Sequence, residues 1–202
     1  MGKLILVRHG ETELNREKKF FGWLDPSLNK TGKHQAFLAG KKIEKILEGK
    51  ESVKIYTSPL KRALETCGEM RIDKFTKEIA HDLKEINFGI FEGLSYEEIL
   101  EKYPQESKVA FTQWEDYDFQ IGESPRELQG RVISFIEREL DLKGINIIVT
   151  HWGVINSILS YFFSKDLEAY WKFSLKNGGI ALIDFNEGFP VLEGFNIGAW
   201  DD

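Results

Sequence analysis

Residues 3–12, KLILVRHGET, decide the fold of this chain. The first five, Lys3–Val7, form a short run rich in aliphatic residues, which predicts a strand buried in a sheet. A polar turn, Arg8-His9-Gly10, follows the run at once. Two later runs have the same form, Val53–Thr57 (VKIYT) and Ile145–Thr150 (INIIVT). We therefore predict three buried strands, each ending in a polar turn.

The stretches between these runs carry helical signals. Thr31–Glu48 has small and aliphatic residues at helical spacing. Ser58-Pro59 predicts a helix with serine as N-cap and proline at the first helical position. Capping-box pairs predict two more helix starts, at Ser95 with Glu98 and at Ser124 with Glu127.

A late hairpin completes the pattern, with strands at Gly179–Phe185 and Pro190–Phe195 and a turn at Asn186-Glu187-Gly188. Strands that alternate with helices favour an α/β architecture. The chain is therefore predicted to form a three-layer αβα sandwich with a mostly parallel central sheet, as one domain over residues 1–202.

The segment 91–127 differs from the rest of the chain. It contains seven aromatic residues, and ten acidic residues against three basic ones. We predict a small helical insertion over one end of the sheet. It is either a packed helical hairpin with a solvated acidic face or a lid over a substrate, and the motifs that flank it favour the lid.

Composition narrows the possible functions. The chain has 202 residues, of which 42% are hydrophobic, and a formal net charge of −6. It can bury a full core, and its acidic balance argues against a nucleic-acid partner. Residues 145–164 carry no formal charge, but their polar side chains favour a buried strand and helix over a membrane span. The single cysteine, Cys67, allows no internal disulfide. We expect a soluble, cytoplasmic protein without a membrane partner.

The three predicted strand ends carry the candidate site. In parallel α/β sheets, ligands bind beyond the carboxyl ends of the strands. This rule brings together Arg8, His9, Arg62 and His151, where helix N-termini add backbone N–H groups. The ligand predicted for two arginines and two histidines is a compact anion such as phosphate. No zinc spacing and no P-loop motif is present in the sequence, and neither His34 nor His81 follows a predicted buried strand.

These residues belong to an ordered set of motifs that resembles the histidine phosphatase superfamily, also called the phosphoglycerate mutase-like family. The motifs are Leu6 to Thr12 with Asn15; Asp25 to Leu28; Thr31-Gly32; Gln35-Ala36; Ser58-Pro59-Leu60 with Arg62-Ala63 and Thr66; Leu83-Lys84-Glu85; Phe88-Gly89 with Glu92-Gly93; Gly122-Glu123-Ser124; Arg131; and Thr150-His151. They cover nearly the whole chain in the family's order.

The resemblance implies roles for the site residues. His9 would be the nucleophile, with its second ring nitrogen donating to a fixed acceptor, plausibly a backbone carbonyl. Arg8, Arg62 and His151 would hold the phosphoryl oxygens, and Asn15 would add a donor. Glu85 would be the general acid, with a raised pKa, and then the base that activates water. Such a mechanism requires no metal ion and no other cofactor.

Three positions depart from the family's pattern. Trp152 stands where a small residue is usual, Phe21 where many phosphatases have glutamine, and Phe91 where tryptophan is common. None of them removes a core catalytic group. We expect Trp152 to contact the substrate, and we expect the three departures to affect substrate shape and rate.

Within the family, the compact chain is more similar to phosphatases than to mutases. The α-ribazole phosphatase branch is the most similar, through Glu85 to Gly89, Trp114 before Gly122-Glu123-Ser124, and Tyr170-Trp171-Lys172-Phe173. The expected substrate is α-ribazole 5'-phosphate, an intermediate of cobalamin biosynthesis. A sugar phosphate, phosphoserine, phosphoglycerate mutase activity and a non-catalytic phosphate-binding module remain as alternatives, and the oligomeric state stays open.

Overall fold

In the computed structural model, which describes residues 2–164 and 166–198, six strands form one sheet. The strands are β1 (Gly2–Arg8), β2 (Val53–Thr57), β3 (Lys77–Ile79), β4 (Ile145–Thr150), β5 (Ile180–Asn186) and β6 (Phe189–Ile197), in the order β3-β2-β4-β1-β5-β6. β1 to β4 are parallel to one another, and β5 and β6 extend the sheet as an antiparallel hairpin. The prediction of a mostly parallel sheet is confirmed.

Strand register places the predicted site at one edge of the sheet. Arg8 at the end of β1 lies opposite Thr150 at the end of β4. Thr57 at the end of β2 lies opposite Val149, one residue earlier in β4. The three polar turns therefore leave the sheet side by side.

Seven α-helices accompany the sheet among the described residues, besides three single-turn 3-10 helices at His81–Leu83, Gly89–Phe91 and Tyr170–Lys172. The α-helices are α1 (Glu13–Arg16), α2 (Lys30–Ile46), α3 (Lys61–Glu69), α4 (Tyr96–Lys102), α5 (Pro104–Thr112), α6 (Pro125–Glu139) and α7 (Trp152–Phe163). Ile5 and Val7 of β1 face a core shared with α2 and α3, which also contains the buried Cys67. Leu4 and Leu6 face a second core shared with α6 and α7. Because alternate strand residues point to opposite faces, these two cores define three layers, as predicted.

The predicted helix starts are correct at two of three places. Ser95 and Ser124 cap α4 and α6 with the expected reciprocal glutamate bonds. The prediction for Ser58 is wrong, because α3 begins at Lys61 and its cap, Leu60, makes no side-chain bond. The Ser58 hydroxyl lies instead 2.7 Å from Nε2 of His151. The same hydroxyl accepts from the Leu60 N–H at 3.3 Å, so a tertiary contact and a tight turn take the place of the predicted helix cap.

Two further predictions can be compared with the fold. The hairpin is present, and its turn at Glu187 and Gly188 has positive φ at both positions, as a tight turn between twisted strands requires. Strand β3 was not predicted from the sequence, since it has three residues and exposes two of them. None of the described helices is long and apolar enough to cross a bilayer.

Candidate active site

The turn after β1 is fixed by close backbone packing. A Cβ atom on Gly10 would lie 2.2 Å from the carbonyl oxygen of Gly32 in α2, so a larger residue would push the two segments apart. The Gly10 N–H donates to the hydroxyl of Thr66 in α3, at 3.0 Å. The His9 N–H donates to the Thr150 carbonyl of β4, at 2.9 Å. Three elements therefore hold His9 in place.

His9 is buried and has one ring nitrogen committed. Its Nδ1 lies 2.8 Å from the Gly10 carbonyl oxygen, so Nδ1 carries the proton and donates it, as expected from the sequence. Burial lowers the pKa of His9 well below its usual value, and Arg62 and Arg8 lower it further. His9 is therefore neutral, with the lone pair of Nε2 available for attack on an electrophile.

Arg62 has no exposed surface and is held by a loop. Its Nη1 donates to the Leu24 carbonyl at 2.8 Å, and its Nη2 donates to the Gly22 carbonyl at 2.7 Å. The loop is in turn held by Glu92, whose carboxylate accepts from the backbone N–H groups of Gly22, Trp23 and Leu24. The guanidinium is thus fixed in position by backbone carbonyls, and no carboxylate within residues 2–164 and 166–198 pairs with it at hydrogen-bond distance.

His151 lies beside His9, with ring centroids 5.2 Å apart, and both of its nitrogens have partners. Nδ1 accepts from Nε of Arg62 at 3.2 Å, so Nε2 carries the proton and donates to Ser58. Burial lowers the pKa of His151 well below its usual value. In this geometry His151 orients Arg62, and its predicted contact with a phosphoryl oxygen requires it to exchange Ser58 for that oxygen.

Arg8 offers unused donors. Its Nη1 donates to the Leu175 carbonyl at 2.7 Å, while its buried Nε has no partner among the described residues. Burial lowers the pKa of Arg8 to about 10, which leaves it charged at neutral pH. A buried guanidinium N–H without an acceptor is costly, so this side chain is suited to receive an anion.

Glu85 is 6% exposed and lines the same pocket as His9. Its Oε2 accepts from the Gly153 N–H at 3.1 Å, and its Oε1 accepts from the Ile86 N–H at 3.0 Å. Burial raises the pKa of Glu85, against the opposing effect of these two bonds and of both arginines. The raised pKa was expected, but its main cause is burial by the protein itself.

Two adjoining pockets open above these residues. The first, here called the basic pocket, has a volume of about 250 Å³ and is lined by Arg8, His9, Asn15, Lys18, Lys19, Phe20, Phe21, Glu85, Phe88 and Trp152. The second, here called the aromatic cavity, has a volume of about 630 Å³ and is lined by Arg8, Phe20, Glu85, Ile86, Phe88, Ala110, Phe111, Trp114, Phe119, Pro125, Trp152, Gly153, Tyr170 and Trp171. The pockets share five lining residues, Arg8, Phe20, Glu85, Phe88 and Trp152.

The pockets place most of the predicted site residues. Arg8, His9 and Glu85 line the basic pocket, and Asn15 lies there with its Oδ1 occupied by Thr12. Trp152 stands at the border of the two pockets, where it can contact a ligand that fills both. Arg62 and His151 are buried beside His9 and line neither pocket in this state.

The departures from the family pattern have distinct consequences. Phe21 packs its ring 4.9 Å from the centre of the Arg62 guanidinium, a cation–π contact where a glutamine would offer an amide. Phe91 is buried against Tyr103, Tyr117 and Phe119 and does not line either pocket. One departure therefore changes the surroundings of an arginine, while the other belongs to the core of segment 91–127.

Two residues that hold the backbone of Glu85 were given no role in the sequence analysis. Arg131 donates to the Glu85 carbonyl at 3.2 Å and is itself paired with Glu123. Trp23 donates to the same carbonyl at 3.2 Å. Both residues act on the backbone of Glu85, a contact that leaves no periodic signal in the sequence.

Comparison with known proteins agrees with this geometry. Residues 4–198 match the family model of the histidine phosphatase superfamily, branch 1. The chain belongs to this superfamily. The expected phosphatase class of enzyme is thereby confirmed, while its particular substrate is not.

Individual relatives share the whole length of the chain. It is 32% identical over 200 residues to phosphoserine phosphatase 1 of Hydrogenobacter thermophilus, covering 98% of this chain and 93% of the relative. A phosphoserine phosphatase structure from Entamoeba histolytica is similar with a TM-score of 0.77 at 29% identity, covering 98% of both chains. The α-ribazole phosphatase of Shigella flexneri gives a TM-score of 0.85 at 24% identity, covering 99% and 98%, and this likeness shows the fold alone.

Proposed function

We propose that this protein is a metal-independent phosphomonoester hydrolase that works through a phosphohistidine on His9. The observation that carries the proposal is the pairing of a neutral, oriented His9 with a buried Glu85 across one small basic pocket. Nucleophile and acid thus face the same space, and Arg8 brings an unpartnered donor to it.

The reaction follows in two steps. Nε2 of His9 attacks phosphorus, the ester P–O bond breaks, and Glu85 gives its proton to the departing oxygen. Glu85, now a carboxylate, takes a proton from water as the water oxygen attacks the phosphohistidine. The N–P bond then breaks, which releases inorganic phosphate and restores neutral His9 and protonated Glu85. Fixed guanidinium groups stabilise the charge on the phosphoryl oxygens, as metal ions do in other phosphatases.

The aromatic cavity supports a substrate whose leaving group carries a flat ring. Its volume of about 630 Å³ is within the range of small-molecule sites. It has extended aromatic walls, formed by Trp114, Trp152, Tyr170 and Trp171. Stacking of one base on an aromatic side chain contributes about 1–3 kcal/mol of binding free energy. We therefore take α-ribazole 5'-phosphate as the first candidate, consistent with the motifs around Trp114 and Tyr170.

Phosphoserine is the second candidate, favoured by the full-length relative from Hydrogenobacter thermophilus, which is named for that activity. Its ammonium and carboxylate groups call for charged partners. Of the described residues that line the aromatic cavity, only Arg8 and Glu85 are charged, and both are engaged in the phosphoryl chemistry. This is why the ring-bearing substrate is placed first.

The first test is hydrolysis of p-nitrophenyl phosphate in excess EDTA by wild type and by His9→Ala. We expect turnover by the wild type, and neither turnover nor acid-labile phosphate incorporation by the variant. His34→Ala, an exposed histidine of α2, is the matched control and keeps full activity. Absence of turnover by the wild type would contradict the assignment as an enzyme. Loss of activity in EDTA would contradict the metal-free mechanism. Phosphate labelling of the His9→Ala protein would contradict the assignment of His9 as the nucleophile.

The second test compares kcat/KM for α-ribazole 5'-phosphate, phosphoserine, a sugar phosphate and 3-phosphoglycerate, the last with and without a bisphosphorylated cofactor. We expect the ring-bearing ester to have the highest value. A higher value for phosphoserine would replace the first substrate with the second. Mutase turnover that exceeds hydrolysis would overturn the proposed reaction.

A further inference from the structure

Tyr170 is held rigidly in the wall of the aromatic cavity. Its ring stacks on Trp114 at 5.4 Å and meets the edges or faces of Trp152 at 5.6 Å and Trp171 at 5.2 Å. Its carbonyl accepts from Nδ2 of Asn156 at 2.7 Å. The residue is 2% exposed, so packing alone fixes where its hydroxyl points.

The hydroxyl of Tyr170 points to the same place as the Glu85 carboxyl. A Cβ atom added to Gly153 would lie 2.5 Å from Oε1 of Glu85 and 2.8 Å from the Tyr170 oxygen. The two oxygens therefore face one small space above Gly153. Since Glu85 lines both pockets and Tyr170 lines only the aromatic cavity, the hydroxyl lies on the cavity side of the acid.

This hydroxyl makes no hydrogen bond to residues 2–164 and 166–198, although the hydroxyls of packed tyrosines usually find a partner, and unlike that of Tyr117 it is not sealed from solvent. Burial raises the pKa of Tyr170 well above its usual value, and the nearby Glu85 raises it further. The group is therefore a protonated phenol whose donor is free beside the proposed acid.

We propose that Tyr170 is a specificity-determining residue whose hydroxyl donates a hydrogen bond to a second oxygen of the leaving group. This oxygen is attached to the carbon adjacent to the carbon that bears the scissile ester oxygen. This inference rests on the proposed function, because it assumes that Glu85 protonates the ester oxygen. With Glu85 at that oxygen, the next position toward the aromatic cavity falls beside the Tyr170 hydroxyl. The favoured substrates are then phosphate esters of polyhydroxylated or cyclic-ether alcohols rather than of simple alkyl alcohols.

The test uses two esters that differ by one hydroxyl, 2-hydroxy-2-phenylethyl phosphate and 2-phenylethyl phosphate. We expect wild type to have a kcat/KM about tenfold higher for the hydroxylated ester, the usual effect of one hydrogen bond to a bound ligand. Tyr170→Phe keeps the ring and its packing and removes only the donor. It should lose this preference, with less than a twofold change on 2-phenylethyl phosphate.

Tyr117→Phe is the matched control, since its hydroxyl also lacks a partner among the described residues, but this hydroxyl is sealed from solvent and its ring packs on Phe91 and Phe119. It should keep the wild-type preference. Absence of a preference in wild type, an equal loss on both esters in Tyr170→Phe, or no loss at all would each overturn the inference. If the wild type hydrolysed none of the three substrates, the two esters and p-nitrophenyl phosphate, the proposed function itself would be contradicted.

Discussion

The Glu85 carboxyl is subject to two opposing influences. Burial favours its protonated form, while the N–H groups of Gly153 and Ile86 and the charges of Arg62 and Arg8 favour the carboxylate. Burial is the larger effect, so its pKa is raised. A raised pKa keeps the proton on this carboxyl to a higher pH than on an ordinary glutamate, so it can protonate a poor leaving group, which matters most for alkyl esters.

Replacing Glu85, the proposed proton donor, should separate substrates by leaving group. Glu85→Gln is expected to lower kcat/KM for an alkyl phosphate by about 10²–10⁴-fold. The loss on p-nitrophenyl phosphate should be far smaller, because p-nitrophenolate departs without protonation. Steady-state kinetics on both substrates check this, with the exposed Glu97→Gln as control. Equal losses on the two substrates would rule out Glu85 as the acid.

The pH dependence should follow from the same group. A raised pKa means that Glu85 is protonated below it and loses the proton as pH rises through it. The ratio of kcat/KM for an alkyl ester to that for p-nitrophenyl phosphate, each calculated on the concentration of the ester dianion, should therefore fall with rising pH. His9, whose pKa is lowered, should cause no loss of activity near pH 6.5. A ratio that rises with pH would contradict this assignment.

Sequence patterns located the reacting groups better than their partners. His9 and Arg8 follow a buried run directly, so the rule for strand ends was enough to place them. Ser58 could cap a helix or bind a histidine, and only the approach of His151, which follows β4, to the end of β2 decides between these uses. Tyr170 is far from Glu85 in the chain, and no local pattern indicates their proximity.

At the scale of single elements, substitutions at two helical glycines test different properties. Gly130 tests the stability of α6, and Gly153 tests the position of the Glu85 carboxyl. Gly130 lies in the exposed face of α6, and a Cβ there would meet no atom within 4 Å. Gly130→Ala should therefore raise the free energy of unfolding by about 0.5–1 kcal/mol, because alanine is the better helix former. Urea denaturation measures this, with activity unchanged. A destabilised Gly130→Ala would contradict the helix geometry.

Gly153 in α7 should behave in the opposite way. Its added Cβ would meet the ends of three side chains at short range, Glu85, Tyr170 and Leu128, and of these the Glu85 carboxyl has the most freedom to turn aside without unfolding the protein. We expect Gly153→Ala to fold normally but to lose at least about tenfold in kcat for alkyl esters, since the acid is displaced. Activity and circular dichroism, measured together, check this. Full activity would show that neither oxygen needs its present position.

The segment 91–127 forms one wall of the aromatic cavity through Trp114. Trp114→Ala should lower kcat/KM for a ring-bearing ester by about 5- to 150-fold, the kinetic equivalent of about 1–3 kcal/mol of stacking. Phosphoserine hydrolysis should change much less. A similar loss on both substrates would mean that the wall supports catalysis and not ring recognition.

The elements themselves were predictable to different degrees. The three buried runs became β1, β2 and β4 because apolar strands covered on both faces have an unmistakable composition. β3 has the sequence Lys-Glu-Ile and pairs only with β2, so nothing in its composition marks it as a strand. The two helices of the insertion, α4 and α5, agree with the predicted helical segment, while its motion stays a prediction.

At the scale of the whole molecule, a net charge of −6 coexists with two buried guanidinium groups in one site. The nearest carboxylate paired with Arg62 is Asp25, at 3.8 Å. A small anion bound between the arginines would reduce their mutual repulsion. The native state should therefore be more stable with such an anion present.

Inorganic phosphate should raise the melting temperature beyond the effect of ionic strength. At a concentration about 100 times the Kd, binding adds about 2.7 kcal/mol to the free energy of unfolding. Calorimetry with phosphate against sodium chloride of equal ionic strength checks this, and Arg8→Gln should reduce the shift. An identical shift with both salts would argue against a specific anion site.

The burial of Cys67 has a practical consequence. Its thiol lies in the core between the sheet and α3, and burial raises its pKa, so it is protonated and shielded from alkylating reagents. Since the chain has no other cysteine, a Val109→Cys variant on α5, where the side chain is 40% exposed, would take a fluorophore at that position alone. Changes in its emission on adding substrate would report directly whether segment 91–127 closes.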